Sequence, residues 1–239
     1  MLTRANKLSY RNAILSEAAY GGLPRNYWPL DEVNGSAAVD LMTIARGSGV
    51  NGTFSSVTLG GAGLINKDES RAPTFGGLGG GSFVTCGIAS NFTLTSGTLE
   101  AWINTSDAGA SFRGIVLKQG AWGLFLIDNV LATYDWVGES ELSTSVNVAD
   151  GSPHHVAMSF QSGVSNGTKL YVDGTVALTT QITILQQTQA LVIGAGEDTG
   201  SVQNFAGQIA QCALYDYELG ADRIQYHYLA GLNGIYGGK

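Results

Sequence analysis

The chain predicts an all-β fold of antiparallel sheets, and three observations carry that expectation. Glycine accounts for 34 of 239 residues while charged residues make up only 13%, the profile of short strands joined by many tight turns. Stretches rich in β-branched and aromatic residues recur between turn signals along most of the chain. No helical pattern alternates with them, so nothing builds the parallel β-α-β units of other fold classes. A single sandwich of this length is ordinary, since such domains commonly run to about 200–250 residues.

Taken in order, residues 1–24 read as an arm. Leu8, Ile14, Leu15 and Ala18 in LSYRNAILSEAA stand at approximate helical spacing before the breaker GGLP, which predicts one short helix. The domain is expected over 25–239. Its strand candidates are GSFVTCGI, FTLTSGTLEAWINT, RGIVLKQGAWGLFLID, NVLATYDWVG, ELSTSVNV, HHVAMSF, TKLYVDGTVALTT, QALVIGAG and GQIAQCALYD. Asp173-Gly174 in YVDGTV is the signal for a type I′ hairpin, which needs positive φ at both central residues, and Asp128-Asn129 is a weaker one. The final piece, LGADRIQYHYLAGL, spaces Leu219, Ile224 and Tyr228 as a short helix ending near Gly231.

Composition narrows function. A net charge of −7 and a pI near 4.8 lack the basic footprint of nucleic-acid binders. No apolar run approaches the roughly 20 residues that span a bilayer, so neither nucleic acid nor membrane is an expected partner. Arg4, Lys7, Arg11 and Glu17 interrupt any apolar core of an export signal. Cys86 and Cys212 make neither a disulfide framework nor a zinc site, leaving one bridge or two thiols open.

Several residues invite a chemical reading. His154 and His155 are adjacent, but strand alternation puts them on opposite faces, so they cannot chelate one ion together. Ser159 and Asp173 complete no nucleophile–base–orienter set, and no G-x-S-x-G elbow occurs. Glu100 shares its strand face with Thr98, Trp102 and Asn104. It has no second carboxylate for glycoside hydrolysis and is read as a hydrogen-bonded structural acid. Asn34, Asp40 and Asp216 carry oxygens that suit calcium, though isolated residues of this kind usually cap turns. Trp122, Tyr134 and Trp136 are the carbohydrate-binding candidates, because an aromatic face suits the C–H groups of a pyranose; the alternative is core packing.

Five stretches then point to a family. YWPLDE, FTLTSGTLEAWI, HHVAMSF, TKLYVDG and FAGQIAQCALYDYELGADRIQYHYLAG, in order across residues 27–231, resemble the laminin-G-like members of the concanavalin A-like lectin/glucanase superfamily. The resemblance implies a two-sheet antiparallel jelly roll whose N- and C-terminal segments meet on one sheet. Relatives often carry Trp where Pro153 stands. Many have an Asp where Ala210 stands, which helps bind calcium, so no cofactor is expected here. The E-x-D-x-x-E strand of the glucanase branch has no counterpart, which implies a non-enzymatic protein. The resemblance also sets the strand of Cys86 beside that of Cys212, within the ~4.4–6.8 Å Cα separation of a bridge; two buried free thiols are the expectation for assembly in a reducing cytoplasm.

The longer pattern YRNAILSEAAYGGLPRNYWPLDE is similar to single-domain laminin-G-like proteins of tailed bacteriophages. It implies a structural protein of the virion, foremost a capsid decoration protein and otherwise a tail or fibre protein. Residues 1–24 would anchor it to neighbouring subunits from outside the domain core, as a trimer or dimer, with cell-surface glycans as a further partner. A free extracellular carbohydrate-binding module is the second reading, and a glycoside hydrolase the third.

Overall fold

Two hairpin turns set the sheet register. Asp173 and Gly174 have φ of 50° and 75°, and Asp128 and Asn129 have 46° and 71°, so both expected type I′ turns form. The computed structural model describes residues 9–19, 21–47, 49–66, 68–108, 111–185, 188–197 and 202–233. Through them the chain runs α1 (Ser9–Ser16), a 3-10 turn at Glu17–Ala19, β1 (Asn26–Trp28), β2 (Ala37–Ala38), α2 (Met42–Ala45), β3 (Gly52–Ser55), β4 (Thr58–Ala62) and β5 (Arg71–Gly76). It continues through β6 (Phe83–Gly87), β7 (Ser96–Asn104), β8 (Arg113–Lys118), β9 (Trp122–Ile127), β10 (Val130–Asp135) and β11 (Ser140–Asn147). Last come β12 (Pro153–Gln161), β13 (Thr168–Val172), β14 (Thr175–Thr180), β15 (Leu191–Ile193), β16 (Ala206–Tyr215) and α3 (Ala221–Asn233).

Among the described residues these strands form two eight-stranded sheets. The first runs β14-β13-β12-β7-β16-β5-β4, with β1 also on β16; the second runs β11-β10-β9-β8-β15-β6-β3-β2. The pairings are antiparallel, and Tyr27 opposite Ala213 joins the N-terminal segment to the last strand. This is the sandwich that the resemblance implies.

Strand alternation places three apolar layers. Leu99, Ala101 and Ile103 of β7, and Val156, Met158 and Phe160 of β12, face the second sheet across the main core. The opposite residues of the first sheet, Trp102, Ala157, Ala210 and Tyr215, meet Tyr10 and Ile14 of α1 and Ile224 of α3 in a second core. On the outer face of the second sheet, Leu117, Phe125, Ala132 and Val192 form a third, smaller cluster.

Two expectations need correction. The arm was expected outside the core, yet in its described part Tyr10, Ala13 and Ile14 are fully buried: their apolar face covers the first sheet of the same chain. Residues 1–8, the rest of that arm, lie outside the described residues. The strands of Cys86 and Cys212 do not pair. Val84 and Thr85 of β6 sit opposite β15 and β3 in the second sheet, whereas β16 belongs to the first, so the two thiols enter the main core from opposite sheets and both are free. The last helix runs to Asn233, two residues past the expected stop near Gly231. A Cβ there would come within 2.3 Å of the Trp102 ring, so this glycine permits close helix–sheet packing rather than ending the helix.

Candidate functional site

Successive strands of the second sheet present four aromatic rings to the outside. Phe112 precedes β8, Phe125 lies on β9, Tyr134 on β10, and Trp136 just beyond it. They meet edge to face or tilted: Phe112–Phe125 at 5.3 Å, Phe112–Tyr134 at 5.9 Å, Tyr134–Trp136 at 5.5 Å and Phe125–Trp136 at 5.9 Å between centroids. Such geometry sets the electropositive edge of one ring on the electronegative face of the next. Phe125 is buried in the floor, and the other three are half-buried. The rings line a cleft of about 240 Å³ together with Gln119, Gly196, Glu197 and Gln203. That space is below the ~300–1,000 Å³ of drug-sized pockets and suits one ring-sized group with polar edges.

Of the three aromatic candidates read from the sequence, Tyr134 and Trp136 stand together here and Trp122 does not. Trp122 is completely buried and stacks on Phe160 at 5.9 Å inside the main core. Alternation along β9 sends Trp122, Leu124 and Leu126 inward, which leaves Phe125 for the outer face. Phe112, Phe125, Gln119 and Gln203 escaped the sequence reading. Counting by twos along β9 puts Trp122, Leu124 and Leu126 on one face and leaves Phe125 on the other; Gln203 arrives from a loop with no periodic signal.

Two of the polar residues with a chemical reading, Glu100 and His155, are enclosed beneath the two helices. Glu100 is fully buried and accepts hydrogen bonds from Tyr215 Oη at 2.8 Å, His155 Nε2 at 3.0 Å and His227 Nδ1 at 3.1 Å. His227 Nε2 stands 3.1 Å from Glu17 Oε1, which also accepts from Arg223 Nε at 2.9 Å. The Tyr10 hydroxyl closes the group 3.2 Å from His155 Nε2. Burial by itself would raise the pKa of Glu100, but His227 and His155 hold it well below the usual carboxylate range. Burial would lower that of His227, yet Glu100 and then Glu17 push it up to about 9. Burial pushes the Tyr10 and Tyr215 hydroxyls up, and the Glu100 charge adds to it.

His154 points the other way from His155, as alternation requires. Its Nδ1 lies 2.8 Å from Asp173 Oδ2 and its Nε2 3.2 Å from Asp150, while Asp173 Oδ1 accepts the backbone N–H of His155 at 3.0 Å. The histidine therefore braces the hairpin turn.

The calcium candidates do not converge. Asp40 is fully buried. Its Oδ1 accepts from the N–H groups of Tyr27 and Met42, both at 2.9 Å, and its Oδ2 from Asn26 at 2.6 Å and the Val50 N–H at 2.7 Å. Asp216 binds Arg25 at 2.9 Å, and Asn34 is exposed in the segment before β2. These carboxylates serve as structural acceptors, and no grouping of three or more His, Cys, Asp or Glu suited to a metal occurs among the described residues.

With this architecture in place, comparison with known proteins assigns the family. A family model of the concanavalin A-like lectin/glucanases superfamily, Laminin_G_3, matches residues 78–225, more than half of the chain. The chain belongs to that superfamily. No curated protein sequence matches it. Among solved structures, the binding domain of Paraclostridial Mosquitocidal Protein 1 is similar with a TM-score of 0.64 at 12% identity, covering 87% of this chain and 52% of that one. Trypanosoma rangeli sialidase in complex with sialic acid is similar with a TM-score of 0.62 at 15% identity, covering 86% and 32%. The Botulinum neurotoxin serotype D binding domain has a TM-score of 0.56 at 16% identity, covering 86% and 50%. The chain thus spans about a third to a half of these structures, and at such identities the likeness shows the fold alone.

Proposed function

We propose that this protein is a non-enzymatic, lectin-like structural protein of a bacteriophage particle, a capsid decoration protein whose outer sheet face binds glycans. The observation that carries the glycan-binding part is the four-ring cleft: half-buried aromatic faces bordered by amide side chains are what a pyranose, apolar on its C–H face and polar at its rim, requires. Two of the structural relatives are themselves named as binding domains, which agrees with this reading. The particle setting is supported by the similarity of residues 10–32 to phage laminin-G-like proteins, and there we place it as a trimer or dimer.

The non-enzymatic reading is supported by the position of Glu100. Its carboxylate is enclosed and engaged by two histidines and a tyrosine, out of reach of a sugar, and glycoside hydrolysis usually needs two accessible carboxyl groups. A tail or fibre adhesin, or a free extracellular carbohydrate-binding module, would use the same cleft without a capsid.

Two measurements test this reading. Density for the chain on the outer capsid surface of intact particles supports the decoration role, and its presence on the tail alone or absence from particles contradicts it. Reducing-sugar release from a polysaccharide panel that disappears in Glu100→Gln would overturn the non-enzymatic reading.

A further inference from the structure

We infer that the cleft selects neutral pyranosides and rejects carboxylated sugars such as sialic acids and uronic acids, with Gln203 as the residue that sets this preference; the inference rests on the glycan-binding reading above. A carboxylate entering a half-buried site loses hydration and needs a cation or several aligned donors in return. None of the described residues lining the cleft is Lys, Arg or His, and one, Glu197, is itself acidic. The two cations closest in sequence are committed elsewhere. Arg113 is 5% exposed, with Nε on Asp107 at 3.0 Å and Nη1 on Ser111 Oγ at 2.6 Å. Lys118 is 2% exposed and donates inward to the Phe92 carbonyl at 3.2 Å.

What the cleft does offer is amides. The carboxamides of Gln119 and Gln203 each carry donors and an acceptor, the combination that matches sugar hydroxyls, which both donate and accept. Gln203 is held in place by unusual means. Its backbone sits at φ 54°, a left-handed conformation that a residue with a side chain keeps only where the surrounding structure imposes it. Its carbonyl accepts the Gly114 N–H at 2.9 Å, tying it to β8. The Gln203 side chain then crosses directly over Gly196, where an added Cβ would fall 2.0 Å from Gln203 Oε1 and 2.5 Å from its Cβ. Gly196 is therefore the vacancy that lets the amide lie along the cleft wall.

The test uses the full chain and four probes: methyl glucoside, methyl galactoside, the methyl glycoside of N-acetylneuraminic acid, and methyl glucuronide. Each is titrated while the Trp136 indole N–H resonance is followed. A neutral pyranoside is expected to shift that resonance with at least tenfold higher affinity than either acidic sugar. Gln203→Gly, which suits the positive φ and removes the amide, should lower neutral-sugar affinity about tenfold or more at an unchanged melting temperature. Gly196→Ala should lower that affinity too, with some loss of melting temperature, because the added Cβ displaces both the amide and the Gln203 Cβ. Acidic sugars binding at Trp136 as well as neutral ones, or full affinity in Gln203→Gly, overturns the inference and leaves the glycan reading standing. If none of the four probes moves Trp136, both fall.

Discussion

His227 Nδ1 lies 3.1 Å from both carboxylate oxygens of Glu100, and the opposite ring nitrogen lies 3.1 Å from Glu17. A neutral imidazole has one donor, so facing carboxylates at both nitrogens requires both to carry protons. His227 is a buried imidazolium that ties the C-terminal helix to strand β7 and to the N-terminal segment.

This pairing makes stability depend on pH in a stated direction. His227 is raised from its ordinary 6.5 to about 9, so its contribution is complete below about pH 6.5 and is lost as pH rises through about 9. Glu100 and Glu17 are lowered, so theirs is complete above the ordinary carboxylate range and is lost as pH falls through their folded values. The cluster stabilises most between about pH 4.5 and 6.5. The unfolding free energy from urea denaturation should fall from pH 6.5 to 9.5 by roughly 3 kcal/mol in total, and His227→Gln should flatten that alkaline limb. An alkaline limb of equal size in the variant would refute the assignment.

Glu100→Gln should be costly although it conserves shape. It leaves the buried His227 cation with one carboxylate partner fewer, and removing one member of a buried pair typically costs about 3–5 kcal/mol. Chemical denaturation at pH 6 measures it; a loss below about 1 kcal/mol would mean that the cluster is not a charged unit.

The N-terminal helix should behave as part of the domain. Tyr10→Ala removes a fully buried ring and its hydrogen bond to His155, for an expected loss of about 3–5 kcal/mol. Deleting residues 1–24 strips Tyr10, Ile14 and Glu17 together. The truncated chain should lose its sharp thermal transition and expose the second core to hydrophobic dyes. A truncated chain melting like the full one would show that the helix only decorates the surface.

The two cysteines should be chemically silent in the folded protein. Cys86 and Cys212 are 4% and 0% exposed, burial pushes both thiols up in pKa, and the thiolate is the reactive form. Thiol titration should count none in native buffer and two after denaturation without reductant. None after denaturation would mean that a bridge forms across the main core.

How much of this could be read from the chain follows from the range of each signal. Alternation along β12 separates His154 from His155 and predicts their opposite partners, because period two is local. The Asp173-Gly174 turn is equally local, since two neighbouring residues carry its backbone requirement. Glu100 is legible as a structural acid on its strand, but the partners that charge it, His227 and Glu17, come from opposite ends of the sequence, and only the packing of both helices on one sheet face unites them. Tyr134 and Trp136 were legible as an aromatic pair; Trp122 was misplaced because its type was read without its strand phase. The Cys86 and Cys212 strands were assigned to one sheet because a family likeness carries strand order less securely than strand identity.

Whether the aromatic cleft is the ligand site is decided by a glycan array probed with the full chain and with Trp136→Ala at matched folded fraction. Trp136 is half-buried at the rim rather than in the core, so the variant should melt within a few degrees of the parent, and loss of one stacking face should reduce binding about tenfold or more. The parent should bind a defined subset of glycans, and Trp136→Ala should lose them while remaining folded. Equal binding by both chains, or no glycan bound by the parent, would contradict the cleft as the ligand site.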